Sequence, residues 1–88
     1  MKFAVFCPRF FKEAEESWQA RWSACRRYMR EHPEVNVIQF DSFEELTGKF
    51  GDQFRRIIVA QLGYYSAEFQ QWAARNRVST LDVMNRAA

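Results

Sequence analysis

Residues 54–62, Phe54-Arg55-Arg56-Ile57-Ile58-Val59-Ala60-Gln61-Leu62, carry two incompatible periodicities. Ile57-Ile58-Val59 is an unbroken β-branched run ahead of Gly63, the pattern of a strand buried on both faces. Phe54, Ile57, Ile58, Leu62, Tyr65, Phe69 and Trp72 also fit the spacing of a single helix. The strand reading completes a three-stranded parallel sheet and an α/β fold. The helical reading leaves a mostly α protein. The strand is preferred, because a two-stranded sheet is marginal by itself.

Upstream, residues 2–6 (Lys-Phe-Ala-Val-Phe) are a short β-prone run closed by Cys7-Pro8. Residues 10–31 hold the strongest pattern in the chain. There Phe11, Ala14, Trp18, Trp22, Cys25 and Met29 recur along one helical face, with Tyr28 alongside. Glu13, Glu15 and Glu16 open this segment and Arg26, Arg27 and Arg30 close it, which complements the helix dipole. His32-Pro33 ends it, since proline disfavours helical geometry at the residue before it. Residues 35–40 read as a second strand, so strand, helix and strand form a parallel crossover unit.

Asp41 or Ser42 then opens a short helix. Ser42 and Glu45 have capping-box spacing, Phe43, Leu46 and Phe50 form the apolar face, and Gly51 ends it. Downstream, residues 65–76 predict a helix presenting Tyr65, Phe69, Trp72 and Ala73. Ser79, with Asp82 three residues on, predicts the cap of a final helix. The expectation is one small domain over residues 1–88, of α/β class. It has two or three short parallel strands, a long amphipathic crossover helix and C-terminal helices.

Nine Phe, three Trp and three Tyr stand against one His, three Gly and two Cys. Aromatic side chains dominate cores and interfaces, whereas clusters of His, Cys and carboxylates that would build a reactive or metal site are not visible. The net charge of +2 is too small to imply a nucleic-acid or membrane partner. Ten Arg against three Lys suits bidentate contacts and stacking on aromatic rings. Cys7 and Cys25 have no CxxC spacing and read as free, buried thiols. No apolar run reaches membrane-spanning length, and Pro8-Arg9 ends the N-terminal apolar stretch too early for a signal peptide. A soluble cytoplasmic protein without cofactor or metal is expected.

In an α/β fold the loops after the strands lie at the carboxyl edge of the sheet, where ligands bind. These loops would contain Cys7, Arg9, Asp41, Ser42 and Tyr64. Lys12 stands where a phosphatase loop beginning at Cys7 would need arginine, and no glycine-rich phosphate cradle follows the first strand. His32 suits the negative end of its helix better than a catalytic role. No catalytic residue is assigned, and the chain is expected not to be an enzyme.

Residues 66–87 resemble a helix-turn-helix segment. Ala73 occupies the small-residue crossing position, Val78-Ser79 leads into the second helix, and Val83 packs back. Asn76 departs from the pattern where an apolar residue is usual, Arg77 where the turn glycine belongs, and Arg86 where an aliphatic is buried. The resemblance implies a DNA-binding regulator in which Arg75, Arg77, Ser79, Thr80 and Asn85 face DNA. A plain helical hairpin accounts for the same spacing. Arg26, Arg27 and Arg30, and separately Arg55 and Arg56, are further phosphate-patch candidates. They are offset by Glu13, Glu15, Glu16, Glu44 and Glu45, so solvated helix faces explain both sets.

The leading functional expectation divides the aromatics. Phe11, Trp18, Phe40, Phe43 and Phe54 fall on faces that a core must claim. Trp22, Tyr28, Tyr64, Tyr65 and Trp72 form a surplus, with Arg26 and Arg30 at its rim, and these residue types are the ones enriched at binding hot spots. The expected function is a small non-enzymatic interaction module, an adaptor or an inhibitor that occludes a larger protein or complex. Small phage and mobile-element proteins share this profile by analogy. A second copy of the chain would also bury such a surplus as a homodimer.

Overall fold

A computed structural model describes residues 2–85. The elements run β1 (Lys2–Phe6), α1 (Glu15–Glu31), β2 (Asn36–Phe40), α2 (Phe43–Lys49), β3 (Arg56–Val59), a 3-10 turn (Leu62–Tyr64), α3 (Ala67–Arg75) and β4 (Ser79–Asp82). The strands form one sheet in the order β2-β1-β3-β4. Every pairing is parallel, with Phe3 opposite both Val37 and Arg56, and Ile57 opposite Thr80. The α/β expectation holds.

The strand reading of residues 54–62 is correct, and the sheet explains why the pattern was ambiguous. β1 and β3 are the central strands, covered on both faces, so Phe3–Cys7 and Ile57–Ala60 are continuous buried runs without alternation. Successive side chains still divide between two cores. Ala4, Phe6, Ile57 and Val59 pack with Leu46 of α2 and Phe69 of α3. Phe3, Val5, Cys7, Ile58 and Ala60 pack with Cys25 and Tyr28 of α1. This split follows from topology. The chain moves one way across the sheet from β1 to β2 and the other way from β2 to β3 to β4. Crossovers of a single hand then place α1 on one face and α2 and α3 on the other.

All three helices begin at the carboxyl edge of the sheet and end at the amino edge. Their first turns hold Glu15 and Glu16, Glu44 and Glu45, and Glu68, while their last turns hold Arg30, Lys49 and Arg75. Each helix complements its own dipole, with acidic first turns toward the carboxyl edge and basic residues in the last turns toward the amino edge. Ser42 caps α2 by accepting from the Glu45 amide at 3.1 Å, as its spacing predicted. Ser66 caps α3 from the Phe69 amide in the same manner. Gly51 lies beyond the end of α2 with φ 91°, in a turn where Phe50 bridges to Phe54.

Two expectations fail. The long helix begins at Glu15 rather than residue 10, and Phe11 is 91% exposed instead of buried. Glu13 is the cause. Its carboxylate accepts from the Phe10 amide (3.1 Å), the Ser17 hydroxyl (2.7 Å) and Arg21 Nε (3.1 Å), which folds residues 10–14 back as a turn. Lys12 takes φ 66° within it.

The second failure concerns the C-terminal segment. Ser79–Asp82 is a strand, not a capped helix, and pairs with β3 from Arg56 opposite Ser79 to Val59 opposite Asp82. The side chains that suggested a cap have other partners. Ser79 Oγ accepts from Arg56 Nε at 3.1 Å. Asp82 accepts from the amides of Gln61 (3.0 Å), Leu62 (2.8 Å), Met84 (3.0 Å) and Asn85 (3.3 Å). The second helix of a helix-turn-helix is therefore replaced by an edge strand; Arg86 and Ala87 of that predicted segment lie outside the described residues. No helix among the described residues is long and apolar enough to cross a membrane.

Candidate functional site

The connections of β1 and β3 leave toward opposite faces of the sheet, so the carboxyl ends of these two strands flank a switch-point crevice, the usual ligand position in such folds. The chain fills it with its own side chains. Tyr65, 3% exposed, inserts its ring from the loop before α3. Its hydroxyl donates to the Phe6 carbonyl and accepts from the Ala60 amide at 3.2 Å, tying β1 to β3. Burial pushes the phenol well above the ordinary tyrosine range. Phe10 meets the Tyr65 ring edge-on at 4.9 Å.

Arg21 of α1 completes the filling. It is 1% exposed and ion-paired to Glu13 through the 3.1 Å Nε contact. Nη1 donates to the Pro8 carbonyl at 3.2 Å and lies 3.8 Å from Cys7 Sγ. The guanidinium also stands 4.6 Å from the Phe10 ring centre and 5.7 Å from that of Tyr65. A lone buried charge would be costly, and these partners offset that cost. Sequence reading missed Arg21, although it lies on the apolar stripe of α1 between Trp18 and Cys25. A charged residue on such a stripe is the signal that was available.

Cys7 and Cys25 are free and buried, as expected. Both pack in one core between β1 and α1, where each thiol perturbs the other. The Cys25 thiol, and then the Arg21 charge, hold Cys7 below the ordinary thiol range against the opposing effects of burial and Glu13. The Cys7 thiol and burial push Cys25 far up. Cys7 lines a cavity of about 480 Å3 together with Arg9, Trp18, Trp22, Gln39 and Asp41. Trp18 Nε1 donates to the Cys7 carbonyl at 3.0 Å. Among the described residues no group of three or more His, Cys, Asp or Glu side chains could hold a metal ion. Glu13, Glu15 and Glu16 surround the start of α1, where a bound phosphate would need the opposite charge.

The predicted anchors do not form one surface. Tyr65 and Tyr28 are core residues, Tyr28 stacking on His32 at 4.2 Å, which removes both from the exposed set. Trp72 is half-buried, wedged edge-on against Phe43 at 5.6 Å and Phe50 at 5.4 Å between α2 and α3. Trp22 is half-buried beside Arg26, whose guanidinium lies 5.8 Å from the indole. Arg26 and Arg30 are exposed on the C-terminal half of α1, and Tyr64 is 55% exposed.

Two aromatic dipeptides organise the carboxyl edge. In Phe10-Phe11 and in Tyr64-Tyr65 one ring turns inward and its neighbour outward. The inward rings touch each other, and the outward rings, Phe11 and Tyr64, project from the two loops that flank the crevice. Lys12 Nζ sits 5.5 Å from the Phe11 ring.

The residues assigned to DNA are spread over α3, β4 and the segments that follow each. Arg75 ends α3, Arg77 occupies the following turn with φ 54°, Ser79 and Thr80 belong to β4, and Asn85 lies beyond it. Arg75, Arg77 and Ser79 are nevertheless at the amino edge. There Lys2, Arg55, Arg56 and Ser79 line a second cavity, also about 480 Å3. No family model, curated protein or solved structure matches the chain.

Proposed function

We propose that the chain is a small non-enzymatic protein-interaction module that docks through the carboxyl edge of its sheet and occludes a larger partner. The observation that carries this reading is the exposure of Phe11 and Tyr64, each next in sequence to a ring, Phe10 or Tyr65, that packs with Arg21 in the crevice. Anchors on a preorganised base lose little freedom on binding. The carboxylates of Glu15, Glu16, Glu44, Glu45 and Glu68 border the same edge. The partner is accordingly a protein with a basic surface around an apolar socket, the character of a groove that binds nucleic acid. Trp22, beside the cavity at this edge, extends the contact.

The test compares capture by the wild-type chain with capture by a Phe11→Ala/Tyr64→Ala double variant in lysate of the native host. A basic protein should be retained by the wild type, released by salt, and lost with the variant at unchanged melting temperature. Identical capture by both chains would refute the docking edge.

A second reading is favoured by one observation. Lys2, Arg55 and Arg56, with Asp52, line an open cavity at the amino edge, and Arg75 and Arg77 follow at the end of α3. A DNA-binding regulator would use this surface, without a recognition helix. Its affinity for duplex DNA would fall log-linearly with salt, and Arg75→Ala would lessen the slope by about one. Absence of retention on duplex DNA at low salt would dismiss it.

A further inference from the structure

Two sulfurs, a guanidinium and an open cavity meet at the end of β1. Cys7 is the first residue past the strand, and Cys25 lies on the inner face of α1. Both thiols are free, and both residues pack in the same core cluster between β1 and α1. Arg21 Nη1 is 3.8 Å from Cys7 Sγ and supplies a fixed positive charge in contact with that sulfur. Cys7 also lines the cavity shared by Trp18, Trp22 and Asp41, whereas Cys25 is fully buried. The pair is thus asymmetric. Cys7 has the guanidinium in contact and lines the cavity, whereas Cys25 is wholly enclosed. Nucleophilic thiols are distinguished by such electropositive, partly accessible surroundings. The docking edge makes no use of this asymmetry.

We propose that Cys7 and Cys25 form a reversible redox site for small hydroperoxides, in which Cys7 attacks and Cys25 resolves. The Cys7 thiolate attacks one oxygen of hydrogen peroxide. An S–O bond forms, the O–O bond breaks, and the leaving hydroxide takes a proton from solvent to become water. Cys7 is then a sulfenic acid. The Cys25 sulfur next attacks Cys7 Sγ, forming the S–S bond. The S–O bond breaks, and its oxygen departs as water with the Cys25 proton. Two protein thiols have lost two electrons and hydrogen peroxide has become two waters. A small dithiol reductant restores the thiols by exchange through a mixed disulfide. Arg21 stabilises the attacking thiolate and takes no part in bond making.

The test treats the reduced full-length chain with hydrogen peroxide, alkylates remaining thiols with iodoacetamide, and reads the intact mass without reductant. The expected product is a monomer lighter by two hydrogens, unalkylated at both cysteines and returned to the starting mass by dithiothreitol. Cys25→Ser should stop at a sulfenic acid on Cys7, trapped by dimedone. Cys7→Ser should slow the oxidation of Cys25 by about 10-fold or more. Three results would each overturn the proposal: unchanged alkylation of both cysteines after peroxide, disulfide-linked dimers as the product, or equal oxidation of Cys25 in the wild type and in Cys7→Ser. The wild-type measurement stands even where a variant fails to fold.

Discussion

Replacing Tyr65 by phenylalanine removes one oxygen atom and leaves the ring in place among Phe6, Phe10 and Phe69. No cavity of consequence opens, so the whole effect comes from two hydrogen bonds. The oxygen accepts from the Ala60 amide and donates to the Phe6 carbonyl, and both residues are buried at the ends of the central strands. The variant strands these two backbone groups without water. A buried group left unsatisfied costs about 1–3 kcal/mol, so a loss of about 2–4 kcal/mol is expected. At about 4–8 °C per kcal/mol for a domain of this size, the melting temperature should fall by about 10–25 °C. Urea unfolding followed by far-ultraviolet circular dichroism measures the loss directly. Tyr64→Phe, at the neighbouring exposed position, is the control and should stay within about 0.5 kcal/mol. Should Tyr65→Phe match that control, the hydroxyl does not tie β1 to β3, and the account of a crevice closed from within fails.

Three further outcomes follow from named contacts. Burial raises the Tyr65 pKa in the folded state, so this group's stabilisation is fully present below the unfolded tyrosine value of about 10 and is lost as pH rises past it. The urea midpoint of the wild type should therefore fall between pH ~10 and ~12 more steeply than that of Tyr65→Phe. Glu13→Gln leaves the Arg21 charge buried without its carboxylate, and should cost about 3 kcal/mol and open residues 8–14 to protease; an unchanged midpoint would contradict the pairing. Ser66→Ala removes the cap of α3 and should cost about 1 kcal/mol in the same urea assay.

What could be read from the chain depended on the range of the interaction. Local patterns were legible: the apolar stripe of α1, its stop at His32-Pro33, and the Ser42 cap. The β-branched run 57–59 also gave the strand correctly, since a strand covered on both faces must be apolar throughout. β4 was not legible. Ser79 and Asp82 have cap-like spacing, and only the open edge of β3, distant in sequence, makes a strand more favourable there. Glu13 likewise delays the start of the apparent helix by contacts with Arg21 that the periodicity of residues 10–31 conceals. Of the anchor set, Tyr64 proved exposed and Tyr28 and Tyr65 proved buried. Exposure in a loop depends on which ring of an adjacent pair the core accepts, and Phe11 was assigned to the core for that reason.

The strand order also governs how the chain can assemble. β1 is the first strand in sequence and lies between β2 and β3, and no two strands are joined by a hairpin. Its apolar residues have no strand partner until residues 36–40 and 56–59 exist, and β3 has no outer neighbour until residues 79–82. Each pairing must close a long loop before it is rewarded, which slows folding relative to helical proteins of the same length. The Arg21 contacts to Pro8 and Glu13 are the shorter-range link, joining the end of β1 to α1 before any sheet exists. A φ-value experiment would find the nucleus there and in the β1–β3 pair, with β4 docking late. During that interval Phe3–Phe6 is an unpaired apolar strand, the segment most exposed to association with another nascent chain.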